Sequence, residues 1–249
     1  MAVYYRTQAF VLTKDNLREA DQIFNIYAKD FGRLKILGKS IRKIRSKLKS
    51  GIQPFCLSEV EFVQGKFHKT LTDAVIIRRF ENIKQYLEKL KIAYQIAEIS
   101  SSLIKGQEKD KKVWNLLNEV FEKLDSCSGY CSLVYYYFLW NLLSILGYGV
   151  DFYNCSFCRK KLSPQKLYFC LEKTGIFCLD CSGRASENKE EVSPEVIKIL
   201  RLFLKRDWAI ISRLKMTEFY KESLELISDS YLSCLEQKDD YGKKPPIII

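Results

Sequence analysis

Nine cysteines and a single histidine carry most of the reactive potential of this 249-residue chain, and four of the cysteines are spaced for one purpose. Cys155-Ser-Phe-Cys158 and Cys178-Leu-Asp-Cys181 are separated by 19 residues, giving C-x2-C-x19-C-x2-C. Two residues between cysteines let two thiolates from one tight turn reach the same ion. Two such turns complete a tetrahedron around Zn²⁺. Four thiolates leave no position for water or substrate, so the spacing predicts one structural zinc. A redox pair of the thioredoxin kind would be a single CxxC in a βαβ setting, whereas two occur here together. Cys170 is expected to be a strand residue near the site. Cys56, Cys127, Cys131 and Cys234 are expected in the core.

Catalysis finds little to use. His68, the only histidine, falls in an expected hairpin beside Lys66 and Lys69. Any Ser-His-Asp arrangement would rest on that one surface residue. Neither G-x-x-x-x-G-K-[ST] nor G-x-G-x-x-G occurs, so the common phosphate-cradling loops are missing. Acidic residues are dispersed; Glu190-Glu191 falls in an expected linker and Asp239-Asp240 in the tail. The sequence therefore predicts a protein that is not an enzyme.

Charge is more telling. The formal net charge is +11, and residues 1–80 hold 16 Lys/Arg against 7 Asp/Glu. Within that third, "KSIRKIRSKLK" (39–49) packs Lys39, Arg42, Lys43, Arg45, Lys47 and Lys49 into eleven positions with no acid. On a helix these charges would cover every side. As a loop following phosphates the pattern makes sense, because each cation that meets a phosphate releases condensed counterions. Arg33 and Lys35 extend the patch, and Tyr4, Tyr5 and Phe31 offer either stacking surface or core. An anionic membrane surface is a weaker partner, since no amphipathic helix carries these charges.

The elements that must position these groups follow from periodicity. Residues 3–80 are rich in aromatic and β-branched residues and form five expected strands with Gly-bearing turns, a small closed barrel. The basic stretch lies between the third and fourth strands, with Gly38 and Gly51 as expected hinges. From about 82 the period becomes helical. "IKQYLEKLKIAYQIAEISSSLI" places Ile83, Leu87, Leu90, Ala93, Tyr94 and Ala97 on the face of one expected helix, and 112–124 forms another. "CSLVYYYFLWNLLSILGY" (131–148) holds Asn141, Ser132 and Ser144 and lacks basic flanks, so it predicts a buried central helix rather than a membrane span. Ser193 and Pro194 supply an N-cap and first helical position. A last helix is expected from about 216 to 236, and "QKDDYGKKPPIII" (237–249) should fray. No secretory signal is visible at the N-terminus, so a cytoplasmic location is expected, where cysteines favour metal over disulfides.

In order along the chain, "YRTQAFVL", "READ" (18–21), "FGRLKILGKSIRKIRSKL", "QPFCLSEVEF", "LGYGVDFYNCSFC" and "CLDC" resemble the RecO family of bacterial DNA repair proteins. The likeness covers essentially the whole chain. The READ segment looks like the family's E-x-D element, Leu37–Ser46 its basic element, and Gln53–Phe55 its entry to the fourth strand. The resemblance implies an α+β protein: an N-terminal OB-fold β-barrel (1–81), then an α-helical domain (82–249) with an inserted four-cysteine zinc-binding module (about 150–186). It implies a nucleoid-associated recombination mediator without catalytic turnover. Such a protein binds single- and double-stranded DNA, anneals complementary strands and helps load recombinase onto strands coated by single-strand-binding protein. Implied partners are RecR and the C-terminal tail of single-strand-binding protein, with Arg201, Lys205 and Arg206 as candidates for the tail site. The alternative is a basic OB-fold adaptor that mainly binds protein or RNA.

Overall fold

Five strands form in the first 80 residues: β1 (Tyr4–Leu17), β2 (Asp21–Ala28), β3 (Gly32–Gly38), β4 (Cys56–Gln64) and β5 (Lys69–Arg79). They close into a barrel in the order β1-β2-β3-β5-β4, the five-stranded OB type. The computed structural model describes residues 3–170, 173, 175–185 and 189–240. All neighbours are antiparallel except β3 and β5, which meet in parallel over Ile36↔Lys69 and Leu37↔Thr70. Extra residues at Leu12 of β1 and at Thr72 and Ile77 of β5 shift the register and bend β1 and β5 around the barrel.

Alternation explains the interior. Ala9 and Val11 of β1, Phe24 and Ile26 of β2, Leu34 and Ile36 of β3, and Val60 and Phe62 of β4 point inward. Burial of each of these larger side chains, Ala9 apart, contributes roughly 1.5–3 kcal/mol. The alternation of β1 looked imperfect because its other face is buried too: Phe10 packs on Phe80, Trp114 and Phe121. On β4 the outward Glu59 and Glu61 face Arg6 of β1 at 3.6 and 3.4 Å. These pairs are solvent-exposed and add little.

The helices follow: α1 (Glu81–Gln85), α2 (Leu87–Leu103), α3 (Lys111–Ser126) and α4 (Ser132–Ile145). The single helix expected over 83–104 is broken at Tyr86, whose backbone is extended (φ −111°, ψ 121°). One non-helical residue resets the phase. Ala93 and Ala97 are buried as expected, but Leu87 is 82% and Tyr94 52% exposed, and Lys89, Ile92 and Ile96 turn inward in their place. Buried Lys89 is satisfied by donating to the Asp125 carbonyl at 2.7 Å, near the end of α3. The Asp110 side chain caps α3 by accepting from the Lys112 and Val113 N–H groups.

Beyond α4 come β6 (Leu167–Cys170), β7 (Gly175–Cys178), β8 (Lys189–Val192), α5 (Pro194–Lys205), α6 (Trp208–Ile211) and α7 (Glu218–Asp240). The expected linker around Glu190-Glu191 is strand β8, which pairs with β6 in a sheet of order β7-β6-β8. "KEEV" has low strand propensity; its pairing partner overrides that preference. Ser193 caps α5 through the Val196 N–H at 3.3 Å, as expected. Residues 241–249, the larger part of the tail expected to fray, lie outside the described residues. Among the described residues no helix is long and apolar enough to cross a membrane.

The chain divides into two compact units, Met1–Phe138 and Leu139–Ile249, with the division inside α4. In the second unit Trp140 stacks on Tyr231 at 5.5 Å and donates to Ser228 Oγ at 3.1 Å. Phe152 and Phe169 pack against this pair edge-on, so β6 is built into the unit's core.

Candidate nucleic-acid interface and metal centre

The basic stretch is an anchored surface loop. All six cations are exposed, and among the described residues none of them forms an ion pair. Of the three interleaved apolar residues, Ile41 is 1% exposed and joins the barrel core, Leu48 packs partly against it, and Ile44 is fully exposed. A one-turn 3₁₀ helix, Lys47–Ser50, closes the loop. The loop is tied at its start as well: Ser40 N–H donates to Asp21 Oδ1 at 2.7 Å and Arg42 N–H to the Ala20 carbonyl at 3.0 Å. Ala20 and Asp21 belong to the READ segment, which thereby gains a physical role. Ile41→Ala is expected to lower stability by about 2–5 kcal/mol in urea unfolding, while Ile44→Ala leaves it unchanged; equal effects would refute this anchoring.

The flanking glycines are not hinges. Neither Gly38 nor Gly51 has a positive φ. At Gly51 a Cβ would sit 1.8 Å from the Ala74 carbonyl oxygen, so the position is glycine because the loop's end lies directly on β5. At the foot of the loop a groove of about 500 Å³ is lined by Lys14, Arg42, Lys49, Asn16, Gln22 and Gln53 over an apolar floor, without an acid.

The other expected contacts divide. Lys35 is exposed on β3. Arg33 donates to the Ser101 carbonyl and, at 3.0 Å, to the Ile104 carbonyl, capping the end of α2. Tyr5 and Phe31 close one end of the barrel: Tyr5 stacks on Phe62 at 5.4 Å, and Phe31 meets both edge-on. Tyr4 alone of the three is exposed, at 61%. Sequence reasoning passed over Phe67, which is 81% exposed at the tip of the β4–β5 hairpin. An aromatic residue among cations in a turn, "KFHK", was the available signal.

In the second unit the four cysteines converge. Their Sγ atoms all lie within 4.8 Å of one another, and Cys158 and Cys178 are 3.8 Å apart. A tetrahedron with Zn–S of about 2.3 Å has edges of about 3.8 Å, so the donor set fits such an ion. The first turn is shaped by Arg159 in the left-handed region (φ 60°), with its N–H donating to the Cys155 carbonyl at 2.9 Å. Ser156 N–H donates to the Ile176 carbonyl at 2.8 Å. That contact brings Ser156 so close to Gly175 that a Cβ there would lie 1.9 Å from Ser156 Oγ. Cys178 closes β7, and Cys181 lies in the 3₁₀ turn Leu179–Arg184. Burial pushes the Cys155 thiol up, but the backbone N–H groups of Cys178, Cys158 and Phe157 outweigh it and bring it to about 7. Burial and the neighbouring thiols push Cys181 up to about 12. Four thiols this close cannot all ionise without a cation among them. Cys170 is buried in β6 opposite Gly175 and outside the four-sulfur group.

The candidate tail residues are partly committed. Arg201 donates to the Phe152 carbonyl at 2.9 and 2.6 Å and lies over Tyr153. Arg206, in the left-handed region at the end of α5, donates to Asn141 Oδ1 at 3.1 Å. Lys205 is exposed.

A closed OB-type barrel with an acid-free basic loop, followed by helices and a four-thiol module, defines a class of mixed α+β protein. The comparisons give the family. Residues 1–80 match the family described as "Recombination protein O N terminal" and residues 85–244 that described as "Recombination protein O C terminal". The DNA repair protein RecO of Dehalococcoides mccartyi strain 195 is 31% identical over 222 residues, covering 89% of this chain and 87% of the relative. That of Syntrophomonas wolfei is 30% identical over 224 residues (90% and 88%). That of Caldanaerobacter subterraneus subsp. tengcongensis is 25% identical over 229 residues (92% of each). The chain belongs to the RecO family of DNA repair proteins.

Proposed function

We propose that this protein is a DNA-binding recombination mediator that works without catalytic turnover. It holds single- and double-stranded DNA on the barrel, anneals complementary strands, and helps load recombinase onto strands coated by single-strand-binding protein. RecR and the C-terminal tail of that protein are its partners, and its place is the cytoplasm, at the nucleoid. The observation that carries this reading is the loop 39–49: six exposed cations with no acidic partner among the described residues, held to the barrel by Ile41 and Leu48. Folding gains nothing from such self-repulsion, and a polyanion relieves it. The Cys155, Cys158, Cys178 and Cys181 site holds one structural zinc, which braces the second unit through β6 and β7.

Binding of unrelated single-stranded oligonucleotides from low to moderate salt tests the reading. Six phosphate contacts give a log–log salt slope of roughly −4. Weak binding, or a slope near zero, would leave a basic adaptor whose loop meets an acidic protein.

A further inference from the structure

The β4–β5 hairpin presents a feature that the basic loop does not use. Phe67 stands 81% exposed at its tip, a place where turns ordinarily take Gly, Asn or Asp. The tip is held in shape: Gly65 N–H donates to the His68 carbonyl at 2.9 Å. Beside it lies a groove of about 390 Å³ lined by Arg33, Lys35, Phe67, His68 and Lys69 together with uncharged residues, and by no acid. The groove exists because β3 and β5 pair in parallel over only two positions, leaving the first residues of β3 beyond the start of β5 at Lys69. Lys66 lies over the Phe67 ring at 5.5 Å, and the ring is otherwise largely exposed. Lys69 is steadied by Gln107 at 3.0 Å.

We propose that this groove seats an unpaired nucleobase stacked on Phe67, between the exposed Lys35 on one side and Lys66 and Lys69 on the other. It is a second contact on the same strand as the basic loop and rests on the DNA-binding reading above. β5 links the two: it begins at Lys69 beside the groove and passes Ala74, on which Gly51 of the loop rests. Five residues of strand span about 17 Å, within the site of several nucleotides that one OB fold covers. A lone exposed phenylalanine is ordinary; one ringed by cations at the mouth of an acid-free groove matches the stacking platforms of single-strand binders.

The test is fluorescence anisotropy of the full chain with a labelled oligothymidylate, its blunt duplex with oligoadenylate, and a wholly abasic strand of equal length. Phe67→Ala is expected to weaken single-strand binding roughly tenfold. Duplex affinity, the salt slope and the melting temperature should stay unchanged, and the abasic strand should bind both proteins alike. Phe67→Trp should retain affinity and have its added indole emission quenched on binding, which keeps the test open if the alanine variant folds poorly. Equal single-strand affinity of wild type and Phe67→Ala, or an equal loss on duplex, overturns the proposal. So does an oligoglutamate peptide that binds the wild type through Phe67 while the strand does not. If the wild type shows no salt-dependent DNA binding, the mediator reading itself fails; if it binds with a slope of roughly −4 and Phe67→Ala matches it, only the stacking site fails.

Discussion

Cys155→Ser and Cys178→Ser proteins are expected to lose the bound metal and to melt well below the wild type. Among the described residues the turn at Cys155–Cys158 meets the end of β7 through single hydrogen bonds, such as Ser156 N–H to Ile176, and an ion held by the four sulfurs would join the two firmly. With one ligand gone, three thiols within 4.8 Å of one another remain with a weakened claim on any cation. Binding energy of a structural zinc is folding energy. The loss should be at least about 4 kcal/mol, which at roughly 2–4 °C per kcal/mol lowers Tm by about 8–16 °C. The damage should spread within the second unit, because Phe169 of β6 packs on Tyr231 of α7, and Tyr231 stacks on Trp140. Metal analysis of protein purified under reducing conditions should find one zinc per wild-type chain. Calorimetry should then show the variants' drop. A wild type without metal, or variants that keep full stability while losing DNA binding, would contradict a bracing role.

What could be seen in the sequence was what depends on near neighbours. The paired CxxC turns were legible because two residues between cysteines fix a local geometry, whatever surrounds it. The strands of the barrel were legible because their aromatic and β-branched residues alternate with turn residues. The interrupted helix at Tyr86 was not, because no Gly or Pro marks it and only packing decides which face of α2 turns inward. Arg33 illustrates the same limit: its partners at Ser101 and Ile104 are about 70 positions away and carry no side-chain signal, being backbone carbonyls. Tyr5 and Phe31 looked as suitable for stacking as Phe67 does, and the barrel's closure consumed the first two. Strand β8 was hidden by its acidic sequence until its register with β6 was known. The loop 39–49 falls between these cases. Its charge was evident at once, but which of its three apolar residues anchored it could be decided only by the position of the core.

Neutralising Arg42, Lys43, Arg45 and Lys47 together to alanine should weaken single-strand binding about 200-fold at 0.15 M salt. Each phosphate contact on a single strand contributes about 0.7 to the salt slope, which at that salt is about 0.6 of a decade in affinity relative to 1 M. Four contacts removed therefore account for a little over two decades, and the slope falls from roughly −4 to roughly −1.4. The affinity curves of variant and wild type should converge near 1 M salt, which separates a counterion effect from a lost fold. Folding should survive, because the loop is held by Ile41 and Leu48 and by backbone hydrogen bonds at Ser40, Arg42 and Gly51, none of which needs the four side chains. Relief of like-charge repulsion should even raise the melting temperature slightly at low salt. A variant that binds as tightly as wild type, with the slope unchanged, would move the interface off this loop. A variant that loses affinity by the same factor at every salt concentration would show that the loop acts through shape rather than charge. The predicted signature is a loss that grows as salt falls, since it follows from six cations that have no carboxylate partners among the described residues and so meet the phosphates with their charge uncompensated.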